Sequence, residues 1–214
     1  MNRRHFLFGS SVSLLLSQAS CINPTPTSTP TLPSGSYKTA SVNMPQLAQI
    51  VTQQQCELWC WAACISMMFD FYGHPLTQAE IVLATYGNVV CLPAGSSTTI
   101  GRDLSRPWID DNGIPFLSQI TAAYDFFNGI NFFDNNMVVS QLSSNNPLLY
   151  CNTHHAMVVY AVDYIPTAGE PNVVAVHVVD PWPFSPQTHL LTAPEMVPAN
   201  LGGEMTFLAS VHLT

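Results

Sequence analysis

The chain has 214 residues, of which 47% are hydrophobic and only 8% are charged. This composition excludes a disordered chain and supplies enough apolar side chains for one sizeable core. The formal net charge is -8, and without the two N-terminal arginines, Arg3 and Arg4, three basic residues stand against 13 acidic ones. Such a chain has no basic surface for nucleic acid or for anionic lipid, which argues against both as partners.

The first residues, 1–21, are typical of an export signal. Arg3 and Arg4 precede an aromatic and leucine run, and the apolar stretch Val12–Leu16 is too short to span a bilayer. The pattern resembles a bacterial twin-arginine signal; an ordinary secretory signal with a chance arginine pair is the alternative. Either signal predicts export from a bacterial cytoplasm, to a periplasmic, membrane-anchored or secreted location.

Cys21 follows Gln-Ala-Ser, which resembles a lipobox ending in a lipidated cysteine, although Gln18 stands where an apolar residue is usual. Lipidation of Cys21 and peptidase cleavage beside Ala19 or Ser20 are both open. Residues 22–37 are rich in Pro, Thr and Ser without an apolar period, which predicts a semi-rigid tether. A lipid anchor at Cys21 would be the only membrane contact.

The folded domain is predicted over residues 38–214, and its first strong helix over 58–72. Apolar residues recur there at three- and four-residue steps, so they share one buried face, and Gly73 can end the helix. A second helix is predicted to open with the capping-box pattern Thr77–Glu80 and to end at Gly87.

Two further helices and four strands complete the predicted domain. A short helix is expected at Arg102–Asp111, interrupted by Pro107, and another at Asn135–Ser144 with Asp134 as its cap. Runs rich in Val, Leu and Tyr predict strands at Pro147–Cys151, Ala156–Tyr164, Val173–Val179 and Met205–Leu213. A helical first half and a β second half indicate an α+β domain with a cleft between two lobes.

Cys60 is the candidate nucleophile. It lies in the first turn of the predicted helix, where free N–H groups and the helix dipole favour an anion, and the thiolate is the reactive form of cysteine. Gln54, on the preceding loop, can donate to a developing oxyanion together with the backbone N–H of Cys60. The alternative is that Cys60 is simply a core cysteine on an amphipathic helix.

Three stretches of the chain carry a resemblance to a known family. They are QQQCELWCWAA at 53–63, HAMVVYAVDY at 155–164 and DPW at 180–182. In this order they resemble the three signatures of papain-like cysteine peptidases, and above all the short bacterial branch of that family. The resemblance covers about residues 44–185.

The resemblance implies a role for each matching residue. Gln54 precedes Cys60 at the distance at which the family places its oxyanion glutamine, and Trp61 follows the nucleophile. His155, which precedes an alanine and an apolar strand, corresponds to the base. Asp180, two residues before a tryptophan, corresponds to the residue that orients the base. The catalytic set is therefore expected to be Cys60, His155, Asp180 and Gln54.

The family implies a papain-like two-lobed α+β fold, with the nucleophile helix in an N-terminal helical lobe and the histidine in a C-terminal antiparallel β lobe. The implied activity is hydrolysis of peptide or isopeptide-type amide bonds through a Cys-His-Asp triad and a thioester acyl-enzyme. We expect a peptide or protein substrate, no cofactor or metal, and a monomer. The rival hypotheses are an amidase or transacylase on the same fold, and a tethered binding module with a relict site.

The chain departs from the family pattern in two places. It has Cys56-Glu-Leu-Trp-Cys60 where papain has Cys-Gly-Ser-Cys, so substrate preference cannot be carried over. The predicted hairpin between His155 and Asp180 is longer than in papain, which leaves the partner of the histidine open.

A second histidine, His154, competes with His155 as the base. Neighbours on a strand point to opposite faces, so only one of the two should face the cleft, and the alanine that follows favours His155. A metal site would use His154, His155, His177 and Asp180. It is the less favoured hypothesis because His177 and Asp180 lie three residues apart and should face opposite sides of a strand.

The remaining cysteines are candidates for disulfides in an exported protein. Cys56 could pair with Cys91, but the connectivity of Cys56, Cys64, Cys91 and Cys151 does not follow from the sequence. Cys64 lies one helical turn from Cys60 and is expected in the core.

Overall fold

The computed structural model describes residues 36–185 and 187–214. The helices are α1 (Met44–Ile50), α2 (Cys60–Phe71), α3 (Gln78–Tyr86), α4 (Ser97–Asp103) and α5 (Asn135–Ser143). The strands are β1 (Lys38–Ser41), β2 (Pro107–Ile109), β3 (Pro115–Asp125), β4 (Ile130–Phe132), β5 (Leu148–Cys151), β6 (Ala156–Ile165), β7 (Asn172–Val179), β8 (Thr188–Leu190) and β9 (Phe207–Leu213).

The predicted export signal 1–21, with Cys21, lies outside the described residues, as does all of the predicted tether 22–37 except its last two residues. Within the described part of the chain, no helix combines the length and the apolar character needed to cross a bilayer.

The nine strands of the described residues form one sheet in the order β2-β3-β9-β5-β6-β7-β8, with β1 paired to β6 and β4 to β3. Every pair of neighbouring strands is antiparallel. Strand β5 lies in the middle, where Leu149 is opposite Val158 on β6 and Ala209 on β9. Five helices beside an antiparallel sheet confirm the α+β class.

Helix α2 carries much of the core on the helical side of this sheet. Nine of its 12 residues are buried, and the helix contacts β5 and β6. Phe69 packs against Trp108 and Phe116, with ring centroids 5.8 and 5.2 Å apart. Burying a side chain of this size stabilises the fold by about 1.5–3 kcal/mol. The packing therefore fixes the position of the first residue of α2, Cys60.

Local signals placed several elements correctly. Helix α2 begins at Cys60, close to the predicted start. The Thr77 side chain accepts the Glu80 N–H while the Glu80 carboxylate accepts the Thr77 N–H, so the capping box of α3 is confirmed, and Gly87 ends that helix at a left-handed φ of 74°. Asp134 caps α5 as expected. The four predicted strands are present as β5, β6, β7 and β9.

The predicted helix at Arg102–Asp111 is wrong. Helix α4 lies earlier, at Ser97–Asp103, because the Ser96 side chain accepts the N–H of Thr99 and caps an earlier start. The segment that follows begins a strand, β2, at Pro107, a residue that has no N–H to donate within a helix.

Strand β3 also contradicts the expected division into a helical part before Pro147 and a β part from Pro147 onwards. It is 11 residues long and lies inside the sheet between β2 and β9. Its pairing with β9 shifts register between Ile120 and Ala122. A bulge of this kind breaks the alternation of apolar residues, so the strand gives only a weak period-two signal.

Candidate active site

Cys60 is the first residue of α2, where the N–H groups of the opening turn have no partners within the helix. Its thiol is free and half-buried. The loop before it is folded back tightly, since the Trp59 N–H donates to the Cys56 carbonyl at 3.0 Å. A thiol in this position faces the positive end of a helix, which favours an anion.

A disulfide between Cys56 and Cys91 fastens the loop before the nucleophile to the segment 90–92. Cys56 therefore pairs with Cys91, the pairing that the sequence suggested but did not decide. The indole N–H groups of Trp59 and Trp61 donate to the carbonyls of residues 90 and 92, at 2.9 and 3.2 Å. Closing a loop of 35 residues stabilises the folded state by about 3 to 4 kcal/mol in the chain-entropy account.

The sheet register brings a histidine and a carboxylate together at the same edge. His155 directly precedes β6 and Asp180 directly follows β7, and Val158 on β6 is opposite Val179 on β7. The Nε2 atom of His155 lies 2.6 Å from Oδ1 of Asp180. The backbone N–H of His155 also donates to the side-chain oxygen of Asn152 at 2.7 Å, which fixes the turn that presents the imidazole.

Asp180 is held as a carboxylate by several donors. Burial alone would raise its pKa, but the hydrogen bonds from His155, from the Ser185 hydroxyl at 2.6 Å and from the Trp182 N–H at 2.8 Å lower the pKa below its ordinary value. The Trp182 ring meets the His155 ring edge-to-face, with centroids 6.3 Å apart. Trp182 therefore touches both members of the pair, the carboxylate through its backbone N–H and the imidazole through its ring.

His155 also adjoins Cys60. Burial opposes the protonated ring, yet the hydrogen bonds to Asp180 and to Cys60 outweigh it and raise the pKa of His155 to about 9. Because Nε2 is bonded to Asp180, Nδ1 is the ring nitrogen that remains for the thiol. The site thus favours an imidazolium at neutral pH beside the sulfur.

The other two free cysteines differ from Cys60 in exposure. Cys64 and Cys151 are buried, and burial raises the pKa of both thiols well above the ordinary value. Cys64 lies in the core as expected. Of the three free thiols among the described residues, Cys60 is the one that is half-buried and open to a reagent.

A cavity of about 400 Å³ opens beside Cys60 and His155. Much of its lining is apolar, with contributions from both the helical segments and the sheet: Leu58, Trp61, Ile100, Phe127 and Phe207. A pocket of this size next to the thiol can hold a substrate side chain and exclude water from the reacting atoms.

Gln54 lies near this site, but its amide is occupied. The side chain is buried, and Nε2 donates to the carbonyls of Cys56 at 3.0 Å and Glu57 at 2.7 Å. Its Oε1 accepts no hydrogen bond from the described residues. An amide nitrogen has two N–H donors, so donation to an oxyanion would require one of these bonds to be exchanged. In the present conformation Gln54 braces the loop before the nucleophile.

The two candidate histidines both line the cavity. His154 and His155 lie in the bend before β6 rather than on the strand itself, so the alternation of a strand does not decide between them. His155 is the one bonded to Asp180. His177 instead bonds Asp163 at 2.9 Å. Across the described residues, no three His, Cys, Asp or Glu side chains gather as a metal ion would need.

Two residues of the site were not identified from the sequence. Asn152 accepts the backbone N–H groups of His154 and His155, a local turn for which an Asn ahead of the histidines is the signal. Ser185 bonds Asp180 across a loop rich in proline, and no spacing rule points to that contact.

No protein-family model matches this chain, and no curated protein matches it in sequence. Support for a function therefore comes from the chemistry of the site itself.

Proposed function

We propose that the protein is an exported papain-like cysteine peptidase that hydrolyses peptide or isopeptide-type amide bonds. The observation that carries the proposal is that a free thiol at a helix start and His155 line the same cavity, while Nε2 of His155 lies 2.6 Å from Asp180. A thiol, an imidazole and a carboxylate in this order are what thiol acyl transfer requires.

The architecture supports a two-lobed fold of this kind. Helix α2 supplies Cys60 from among the helices, while the edge of β6 and β7 supplies His155 and Asp180. A backbone hydrogen bond from Gln54 N–H to the Pro181 carbonyl, at 2.8 Å, joins the loop before the nucleophile to the loop after the carboxylate. The two halves of the site are therefore tied to each other directly.

The Cys60 proton passes to His155 before substrate binds, so the reaction starts from a thiolate and an imidazolium. The thiolate attacks the substrate carbonyl and forms a C–S bond, and the backbone N–H of Cys60 stabilises the oxyanion. His155 then gives its proton to the leaving nitrogen as the C–N bond breaks, which leaves a thioester on Cys60. A water molecule, deprotonated by His155, attacks the thioester and releases the acid product and the free thiol.

The carboxylate of Asp180 takes no proton in this cycle. It holds Nε2 of His155 as an N–H and so keeps Nδ1 directed at the sulfur, and its charge stabilises the imidazolium that forms. The Trp182 ring packs against the imidazole beside this bond, and a lower local dielectric there strengthens it.

The test is digestion of a mixed peptide library by the protein, with products identified by mass spectrometry. Cleavage should occur with the wild type and fall to background in Cys60→Ala and His155→Ala. Cys64→Ala is the matched control, because it removes a buried thiol one turn along the same helix and should retain activity.

Two outcomes would contradict the proposal. Transfer of the acyl group to an added amine without peptide hydrolysis would favour a transacylase on the same fold, and hydrolysis of simple amides but not of peptides would favour an amidase. Binding of peptides with no turnover, and no reaction of Cys60 with iodoacetamide in the folded protein, would favour a binding module with a relict site.

A further inference from the structure

Ser185 makes a contact that the catalytic scheme does not use. Its hydroxyl lies 2.6 Å from Oδ2 of Asp180, while Oδ1 of the same carboxylate serves His155 at 2.6 Å and the Trp182 N–H at 2.8 Å. The two carboxylate oxygens are thus divided between the catalytic imidazole and a serine on the following loop.

The loop that carries Ser185 is held in place by its own backbone. The Ser185 N–H donates to the Trp182 carbonyl at 3.3 Å, and the Asp180 N–H donates to the Gln187 carbonyl at 2.9 Å. The Ser185 hydroxyl has one proton, and its 2.6 Å contact with the carboxylate is much shorter than its 3.3 Å contact with the Trp182 carbonyl. The proton therefore belongs to the bond with Asp180, which is charge-assisted and strong.

Oδ2 has a second neighbour. Nδ1 of His189 lies 3.9 Å from it and is buried without a hydrogen-bond partner among the described residues. The ionisable groups that act on or near Asp180 are thus His155, His189 and the thiols of Cys60 and Cys64. With Ser185 in place, Oδ2 is occupied at short range, and the carboxylate does not need to turn towards His189.

We propose that Ser185 is a positioning residue, which fixes the rotation of the Asp180 carboxylate and thereby keeps the His155 ring directed at Cys60. This inference rests on the proposed function, since it assigns Ser185 to the same thiol and imidazole pair. Ser185 itself touches neither substrate nor the reacting atoms. Its effect reaches the reaction through Asp180 and His155.

The experiment measures the rate at which iodoacetamide alkylates Cys60 as a function of pH, a readout that needs no substrate. Wild type should react already in mildly acidic solution, because the imidazolium supports the thiolate. In Ser185→Ala the reaction near pH 6 should be about tenfold slower, the size expected for losing a hydrogen bond to a charged group. Ser185→Thr keeps the hydroxyl and should restore the wild-type profile.

Ser118→Ala is the matched control, since it also removes a buried serine hydroxyl bond, to the Leu104 carbonyl at 2.8 Å, on strand β3. It should leave the alkylation profile unchanged. On a cleaved peptide, Ser185→Ala should lower kcat about tenfold with KM unchanged. If the alanine variant does not fold, Ser185→Val, which has the size of threonine without its hydroxyl, is measured against Ser185→Thr.

The outcomes separate the two claims. If the wild type reacts in mild acid and Ser185→Ala has the same pH profile, the role of Ser185 is overturned. The proposed function then still stands. A wild type that reacts only in alkaline solution overturns the proposed function, and the role of Ser185 with it. Loss of rate in Ser185→Thr equal to that in Ser185→Ala also overturns the positioning role.

Discussion

Replacing Asp180 with asparagine should lower the pKa of His155 while leaving the ring in place. An asparagine keeps an oxygen for the Trp182 N–H and can direct its amide towards the Ser185 hydroxyl, so the local bonds can be retained. What disappears is the negative charge 2.6 Å from Nε2.

The expected fall in the pKa of His155 follows from the interactions that raise this pKa in the wild type. Burial would lower the pKa of His155 below the ordinary value of 6.5, but hydrogen bonds and charge interactions with Asp180 and Cys60 raise it to about 9. An opposite charge at this distance shifts a pKa by about one unit or more. In Asp180→Asn we therefore expect the pKa of His155 to fall to about 8 or below. At pH 8 the protonated fraction would drop from roughly nine-tenths to about half or less.

The assay is an NMR titration of the histidine ring protons. The chain has seven histidines, and the His155 signal is assigned by its absence in His155→Gln. A His155 pKa that stays near 9 in Asp180→Asn would refute the reasoning, because it would show that the carboxylate does not support the imidazolium.

Stability gives an independent check with a definite sign. The folded-state pKa of His155 is raised, so its pairing stabilises the fold fully below about pH 6.5, and this stabilisation is lost as the pH rises through about 9. The difference in Tm between wild type and Asp180→Asn should therefore be largest in mild acid, just below about pH 6.5, and shrink steadily until little of it is left near pH 9. A difference that grows with pH would contradict this linkage.

Three further changes test other parts of the site and the fold. Gln54→Ala should lower kcat about a hundredfold with little change in KM, because the Gln54 amide can exchange one of its two hydrogen bonds for one to the oxyanion. An unchanged kcat would show that Gln54 only braces the loop. The double change Cys56→Ser with Cys91→Ser should lower the free energy of unfolding by about 3 to 4 kcal/mol in denaturant titrations, and an equal stability would contradict the disulfide. Burial and the neighbouring Glu80 raise the pKa of Asp111 to about 6. The fold therefore disfavours the charged acid, and Asp111→Asn should raise Tm by about 1 to 2 °C at pH 7 but not below pH 4, as followed by calorimetry.

Much of the candidate site could be predicted because its signals are local. Cys60 stands at the start of an apolar helical run, so its place at a helix N-terminus follows from a few neighbouring residues. His155 precedes a β-rich run and Asp180 ends another. Two adjacent antiparallel strands bring these two ends together, a pairing that the family resemblance implied and that the residues alone left open.

The errors arise where long-range contacts override a local pattern. Strand β3 pairs with β9, nearly 90 residues later, and a bulge hides its alternation. The side-chain amide of Gln54 donates to the carbonyls two and three residues ahead. These bonds depend on the fold of the loop and not on the spacing between Gln54 and Cys60. Ser185 reaches Asp180 only because the intervening prolines and the Gln187 carbonyl close that loop. None of these contacts has a periodic signal.

The central claim is that Cys60 and His155 form a thiolate and imidazolium pair. Its most direct test is the ultraviolet absorbance of the thiolate, taken as the difference between wild type and Cys60→Ala across a pH series without any substrate. The account expects a thiolate signal that persists at about pH 6 and is lost there in His155→Ala. A signal that appears only in alkaline solution, and is the same with and without His155, would contradict it.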